Sequence, residues 1–226
     1  MNDYGKFAYK YDMYFSRFDY DGLADYLMEL WRCSSLFDNK ILDLGCGTGS
    51  MMLELSGRGA EVTGVDISDD MLSIADNKLY EKGNGYLLRK ADIASYRDNE
   101  KYDKIICLCD TFNYLDDTGI ATLISNVSSM IIDGGYFVFD IISPFIKPDN
   151  KESFFLSDGT KLEMIRTFKG KKMFTDVVIT NNGNISSEKH EQYIYTTDYI
   201  SELLEINGFS AIKVYGFMRS EERRVG

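Results

Sequence analysis

The stretch ILDLGCGTGS at residues 41–50 constrains the fold of this chain more than any other. Its apolar run predicts a buried strand, and Gly45, Gly47 and Gly49 predict a tight loop directly after it. Glycine adopts positive φ values and has no Cβ, so its backbone can come close to a ligand. A dinucleotide loop also follows a strand and opens a helix, but its glycines are spaced G-x-G-x-x-G. The different spacing here argues against a bound pyrophosphate.

Strand and helix patterns alternate through the first two thirds of the chain. The predicted strands are 40–44, 61–66, 86–89, 102–109 and 135–142, and the predicted helices are 20–37, 50–56, 69–80 and 117–130. Such alternation predicts an α/β fold with a doubly wound, mostly parallel sheet and helices on both faces.

The pattern changes after Pro144. Short alternating segments run through residues 152–195, with a turn at 181–184, and predict an antiparallel β insertion after the fifth strand. A helix over 198–206 follows, and its end is marked by Asn207 and Gly208. The last segment with a strand pattern is 209–218.

Composition excludes several classes of partner. The formal net charge of −11 disfavours a nucleic-acid ligand. The amino terminus has no apolar signal core, and no apolar run approaches the roughly 20 residues that span a bilayer, so we expect a soluble, cytoplasmic protein without a membrane partner. Four cysteines without a CxxC pair and one histidine do not make a zinc site, so we expect no metal.

The glycine loop and the carboxylates around it indicate the kind of ligand. Ligands of an open α/β sheet bind beyond the carboxyl ends of its strands. Asp66 ends the second strand 21 residues after Gly45, close to the spacing of a carboxylate that accepts ribose hydroxyls. Asp43 adds a negative charge that suits a cation better than a phosphate. The sequence therefore predicts a ligand similar to adenosine.

Four motifs resemble, in order and spacing, those of the class I S-adenosylmethionine-dependent methyltransferases. They are ILDLGCGTGS, GVDIS, ADI and YDKIICLCDTFNYL, and the resemblance covers residues 38–142. The segment EKHEQYIYTTDYISELLEINGF resembles the small-molecule branch of that family. The resemblance implies a Rossmann-like methyltransferase fold, S-adenosyl-L-methionine as cofactor and a small-molecule methyl acceptor.

The resemblance also implies roles for individual residues. Asp43 would lie near the methionine amino group, Gly45 and Gly47 against the methionine part, Asp66 at both ribose hydroxyls, Ile67 beside the adenine, Asp92 at the adenine amino group, Ile93 with its amide facing the ring, and Cys109 and Asp110 beside the reacting methyl. Cys46 and Met71 are further candidate cofactor contacts, with a small loop residue and a core residue as the alternatives. Asp66 could instead cap the following helix, and Asp92 could be a turn residue.

The amino-terminal aromatic residues suggest a lid. By the resemblance, residues 1–37 would cover the cofactor, with Tyr11 or Tyr14 at the site; the alternative is an aromatic helix packed on the sheet. The expected domains are 1–37 as a helical lid, 38–143 as the cofactor-binding core, 144–196 as a β substrate cap, 197–218 as the carboxyl-terminal part of the core, and 219–226 as a non-native tail. Proteins of this fold end with an antiparallel strand beside the fifth, and we expect that strand to be missing here.

The acceptor side is defined partly by what the sequence lacks. The fourth-strand motif is not the D/N-P-P-Y/F of enzymes that methylate base amines, and no Pro-Cys pair is present. We therefore expect metal-free transfer to a nitrogen or oxygen of a small molecule, mainly by alignment and desolvation. A non-catalytic cofactor-binding or activating subunit, or a nicotinamide-dependent reductase, is the alternative. The chain would be a monomer or a homodimer.

His190 is the first candidate for a general base. A neutral imidazole can accept a proton near neutral pH. Strand alternation would put His190, Gln192 and Ile194 on one face, where they either form a polar wall of the pocket or face water. Asp110 and Tyr114 are the next candidates.

Overall fold

A computed structural model describes residues 5–31, 39–81, 85–142, 144–145 and 151–216. The helices are α1 Gly5–Tyr14, α2 Tyr20–Trp31, α3 Ser50–Gly57, α4 Asp69–Tyr80, α5 Asp117–Met130 and α6 Thr197–Ile206. The strands are β1 Lys40–Leu44, β2 Glu61–Asp66, β3 Tyr86–Lys90, β4 Tyr102–Cys107, β5 Ile131–Phe139, β6 Lys151–Phe155, β7 Lys161–Lys169, β8 Lys172–Asn181 and β9 Asn184–Tyr193. A 3₁₀ turn covers Thr111–Tyr114.

The first five strands form one parallel sheet in the order β3-β2-β1-β4-β5. The chain winds outward from β1 to β3 and then returns to place β4 on the other side of β1. This confirms the doubly wound prediction. The strand order reverses between β1 and β4, so a crevice opens beyond their carboxyl ends.

Burial on both faces explains why β1 reads as a continuous apolar run. Ile41, Leu42 and Leu44 are completely buried. Leu42 and Leu44 belong to the apolar cluster that also includes α5 and α6, whereas Ile41 packs in the cluster with α2 and α3. The two helical layers therefore hold the central strand, and with it the loop that follows, in a fixed position.

The second sheet consists of β6-β7-β8-β9, all antiparallel, and confirms the predicted insertion. Leu162, Met164, Val177 and Ile179 of this sheet form an apolar cluster with Phe7 of α1. The alternating pattern of β7 and β8 arises because one face packs on α1 and the other lies toward solvent.

Two predicted strands, β4 and β5, have clearly different bounds in the structure. β4 ends at Cys107 rather than residue 109, because Cys109 and Asp110 have φ values of 59° and 61°, which no strand accommodates. β5 spans residues 131–139 rather than 135–142, and its pairing with β4 contains an irregularity between Tyr102 and Lys104.

The strand expected over 209–218 is also not formed in the part that the structure describes. Residues 209–216 contribute only an isolated β-bridge at Tyr215, and the five-stranded sheet ends at β5 within the described ranges. Residues 217–226, with the tail hypothesis, lie outside the described residues, as do residues 1–4 and Cys33. No helix in the described part of the chain is both long and apolar enough to cross a bilayer.

Candidate cofactor and acceptor site

The glycine loop after β1 has the backbone geometry expected of a ligand-binding loop. Gly45, Gly47 and Gly49 have φ values of 80°, 53° and 74°, in the left-handed region that favours glycine. The Gly45 and Cys46 amides both donate to the Val65 carbonyl, at 2.7 and 3.1 Å, and tie the loop to the end of β2. A Cβ on Gly47 would meet nothing within 4 Å, so this glycine borders open space.

Two carboxylates lie beside the loop. Asp66 accepts the amide protons of Gly47 and Ser68, each at 2.9 Å. The Ser68 side chain caps α4 by accepting from the Met71 amide, so the alternative role of Asp66 as the cap is taken by another residue. Burial raises the pKa of Asp66, and these backbone hydrogen bonds oppose the rise.

Asp43 is the more deeply buried of the two carboxylates. Asp43 is only 3% exposed, and among the described residues its Oδ2 has no hydrogen-bond partner. Burial, with a smaller contribution from the charge of Asp66, raises the pKa of Asp43 to about 7. A buried acceptor oxygen without a donor is costly, and a cationic donor in the crevice would satisfy it.

These groups line one cleft of about 530 Å³, counted with its open mouth. Its walls are formed by Tyr11, Tyr20, Asp43, Gly45, Cys46, Gly47, Thr48, Ser50, Met51, Asp66, Met71, Leu108, Cys109 and Thr111. The structure therefore brings together eight of the twelve predicted cofactor residues.

The other four predicted cofactor residues lie outside the walls of this cleft. Ile67 follows Asp66 and is 47% exposed, so its side chain is accessible next to the ribose candidate. Asp92 is exposed and accepts the Ala94 amide at 2.9 Å, as a turn residue does, while Ile93 is buried. Their adenine roles stay predictions. Tyr14 packs on Phe154 of β6 instead of lining the cleft.

The segment after β4 forms the opposite wall. Asp140, directly after β5, accepts the Cys109 amide at 3.0 Å and the Asp110 amide at 2.9 Å with its two carboxylate oxygens. These bonds hold two consecutive non-glycine residues in left-handed conformation, a strained arrangement that concentrates at functional sites. Burial raises the pKa of Asp140 to about 6, with a further rise from the charge of Asp110.

The candidate base residues meet across the two sheets. His190 is 5% exposed on the inner face of β9, and its Nδ1 lies 3.0 Å from the Tyr114 hydroxyl on the 3₁₀ turn. Gln192 is buried on the same face, so the polar-wall interpretation is the one that the burial supports. Asp110 lies on the same turn as Tyr114, and burial raises its pKa.

Helix α1 contacts both the first sheet's loop and the second sheet. Asp12 accepts from the Thr48 hydroxyl at 2.6 Å and pairs with Lys78 at 2.8 Å. The Phe7 amide donates to Glu188 of β9 at 2.9 Å. Tyr11 lies between these contacts and forms part of the cleft wall, beside Tyr20 and Cys109.

The fold and the site together define a class I S-adenosylmethionine-dependent methyltransferase. The features that define it are the doubly wound sheet, the loop with alternate glycines, the carboxylate of Asp66 at the end of β2 and the Asp43 oxygen that lacks a donor near the end of β1. The cationic cofactor would supply the donor that Asp43 lacks, and the open space beside Gly47 would let it approach the backbone. The chain matches the family described as a methyltransferase domain over residues 41–135.

Two relatives over nearly the whole chain, and one over about half of it, agree with this class. A crystal structure of an S-adenosylmethionine-dependent methyltransferase from Clostridium acetobutylicum is 26% identical, with a TM-score of 0.86 over 98% of this chain and 94% of that one. A protein of Geobacillus sp. (strain WCH70), provisionally named a methyltransferase, is 25% identical over 93% of this chain and 90% of its own length. A ubiquinone biosynthesis O-methyltransferase of Nitrosomonas europaea is 28% identical over 48% of this chain and 46% of its own length. The chain is therefore a methyltransferase that uses S-adenosyl-L-methionine.

Sequence reasoning missed Asp140 and Tyr20. Asp140 is an acid at the carboxyl end of a strand pattern, as Asp43 and Asp66 are, and that shared pattern could have identified it. Tyr20 carries no such signal, because its position depends on how α2 packs against the turn after β4.

Proposed function

We propose that this methyltransferase transfers the methyl group to a nitrogen or oxygen atom of a small molecule, without a metal ion. The observation that carries the proposal is the 3.0 Å contact between Tyr114 Oη and His190 Nδ1. His190 of the second sheet thus lies against the turn that follows β4, which supports a role for its imidazole as the proton acceptor. The acceptor would bind between these two parts of the molecule.

The cofactor side follows from the cleft. When bound, the cofactor supplies a methyl group on a cationic sulfur, which an electron pair of the acceptor can displace. Asp66 would accept ribose hydroxyls and Asp43 would accept from the methionine amino group. Gly45 and Gly47 would allow close backbone approach, while Tyr11 and Tyr20 would exclude water from the reacting methyl.

The acceptor side would work by alignment. The Tyr114 hydroxyl would orient the imidazole of His190, and the imidazole would remove a proton from the acceptor as the new bond forms. Asp140 would fix the backbone of Cys109 and Asp110 next to this position. Alignment of two reactants supplies a large part of the rate in such reactions, so the base is an aid rather than a requirement.

The arrangement supports a division of labour among segments. Residues 1–37 would act as the lid and residues 144–196 as the substrate cap, because α1 contacts both the glycine-loop network and β9. Residues 38–143 and 197–218 would form the core. The Nitrosomonas relative, named for O-methyl transfer, supports a small-molecule acceptor over the half of the chain that it matches.

A labelled-methyl screen tests the proposal. The protein is incubated with methyl-labelled S-adenosyl-L-methionine and pooled metabolites, and labelled products are separated by mass. We expect label in a small molecule with the wild type and none with Gly47→Val. Label that enters only protein or nucleic acid, or no labelled product despite cofactor binding, contradicts the proposal.

A further inference from the structure

One row of side chains crosses the inner face of the second sheet and is polar along its whole length. The strand register places Arg166 of β7 opposite Thr175 of β8, and Thr175 opposite His190 of β9. Residues opposite each other in antiparallel strands project from the same face. Thr175 is 7% and His190 5% exposed, so this row, called here the polar row, faces the interior.

The neighbouring row on the same face has an apolar middle between two glutamates. It consists of Glu152, Met164, Val177 and Glu188. Met164 and Val177 belong to the cluster that packs on α1. The Arg166 side chain is 17% exposed. Removing a guanidinium from water costs several kcal/mol unless its donors find acceptors. A surface position would have avoided that cost.

The polar row faces the turn after β4 at two points. His190 contacts Tyr114 at one end. At the other end, the positive charge of Arg166 lowers the pKa of Asp110 and that of Tyr14, in each case against the larger effect of burial. Asp110 and Tyr114 are four residues apart on one turn. Under the proposed function, the acceptor would bind between the row and the turn.

Arg166 is held in place by Glu152 and by a side-chain hydrogen bond to Tyr14. Its Nη1 donates to Glu152 of β6 at 2.8 Å, and Glu152 is 37% exposed at its side chain. Its Nη2 lies 3.8 Å from the sulfur of Met164, a weak acceptor. A planar guanidinium binds carboxylate or phosphate oxygens through two parallel donors. Glu152 fixes the side chain but uses only part of that donor set.

We propose that Arg166 is the anchor for an oxyanion, a carboxylate or a phosphate, on the methyl acceptor. The oxyanion would sit at the Arg166 end of the polar row while the accepting nitrogen or oxygen lies at the His190 end. Thr175 between them would offer a hydroxyl. The inference rests on the proposed function for the identity of the ligand as an acceptor, but the anion site itself can be tested separately.

Calorimetric titration with sodium phosphate and with sodium acetate, at low ionic strength and with S-adenosylhomocysteine bound, tests the site. We expect the wild type to bind one anion, and whichever of the two binds more tightly identifies the class. Glu152→Gln should bind the anion at least about threefold more tightly, since it removes the charge that competes for Arg166. Arg166→Gln should not bind it.

Two further variants separate this role from a structural ion pair. Arg166→Gln/Glu152→Gln removes both charges of the pair, so no carboxylate is left without its partner, and it too should lose the anion. Arg58→Gln removes an arginine that is paired to Asp21 and Asp25 elsewhere on the surface, and should bind the anion as the wild type does. A purely structural pair predicts instead that Glu152→Gln binds no anion and unfolds at a lower temperature.

The outcomes also distinguish this inference from the proposed function. Anion binding that is equal in the wild type and in Arg166→Gln, or no anion binding by Glu152→Gln, overturns the inference and leaves methyl transfer untouched. Failure to bind S-adenosylhomocysteine counts against the cofactor site, and the anion titration on the ligand-free protein still decides the role of Arg166. With an acceptor in hand, Arg166→Gln should raise KM for the acid at least about tenfold and leave KM for its amide unchanged.

Discussion

At the scale of single residues, Asp66 carries the cofactor assignment. Its oxygens accept two backbone amides, which fixes the carboxylate at the end of β2 and leaves acceptor capacity for ligand hydroxyls. Asp66→Ala should weaken S-adenosylhomocysteine binding by about 1.5–3 kcal/mol, the range for hydrogen bonds to a charged group. Calorimetry measures this loss. Affinity equal to that of the wild type would reduce Asp66 to a support for the glycine loop.

His190 is the residue whose role depends most on geometry. Asn in its place keeps an amide near the position that Tyr114 contacts but accepts no proton, so His190→Asn should lower kcat by about 10²- to 10⁴-fold. Cofactor affinity should not change. Steady-state kinetics with the identified acceptor provides the check. A kcat equal to the wild-type value would move the base assignment to Asp110 or Tyr114.

At the scale of elements, the junction between the first sheet and the second depends on Asn113. Its side chain is fully buried, donates to the Tyr193 carbonyl at 2.6 Å and accepts from the Ile142 amide at 2.9 Å. Asn113→Ala removes the hydrogen-bond partner of the buried Ile142 amide and of the partly buried Tyr193 carbonyl, at about 1–3 kcal/mol each. The melting temperature should fall by at least about 4 °C.

A matched control is available for that experiment. Asn77 is exposed on α4 and donates to the Ser73 carbonyl of its own helix. Asn77→Ala should change stability by no more than about 0.5 kcal/mol. If both variants have the melting temperature of the wild type, Asn113 does not hold the second sheet in place.

The sequence predicts elements better than it predicts their junctions, and the reason is physical. Apolar periodicity is a local property, so β1, β2 and α5 were predicted at their observed bounds. The end of β4 was not, because the left-handed conformation of Cys109 and Asp110 depends on Asp140, about thirty residues away. No local pattern contains that hydrogen bond.

In the candidate site, too, single residues could be predicted from the sequence, but contacts between distant residues could not. Asp43, Gly47 and Asp66 could be predicted because they lie in one contiguous motif or at a fixed spacing from it. His190 and Tyr114 could be proposed singly, but their contact joins residues 76 apart in sequence and depends on how β9 packs. In the sequence, Arg166 has the pattern of an ordinary charged residue in a strand. Only the register of β7 on β8 shows that it lies on the inner face.

At the scale of the whole molecule, the site is acidic and the chain carries a formal charge of −11. Burial raises the pKa of Asp43 to about 7 in the folded state, above its unfolded value, so the folded protein binds more protons between about pH 4 and 7. Its stability without ligand should therefore fall as pH rises through this window. Asp140 and Asp66, whose pKa values are also raised, add to the fall in the same direction.

Melting curves between pH 5 and pH 8 measure this effect. Asp43→Asn should flatten the fall and raise the melting temperature of the ligand-free protein at pH 8 by at least about 2 °C. The same variant should bind cofactor more weakly, since it removes the negative charge that suits a cation. Asp133→Asn, at an exposed position, should behave as the wild type. A pH dependence that Asp43→Asn leaves intact would contradict the assignment.

One calorimetric titration tests most directly whether the cleft binds S-adenosyl-L-methionine. S-adenosylhomocysteine and NAD are titrated in turn into the wild type and into Gly47→Val, whose added side chain would project into the open space beside the loop. We predict that the wild type binds S-adenosylhomocysteine at one site and does not bind NAD, and that Gly47→Val stays folded and binds neither. Tight NAD binding by the wild type, or S-adenosylhomocysteine affinity unchanged in Gly47→Val, would contradict the account.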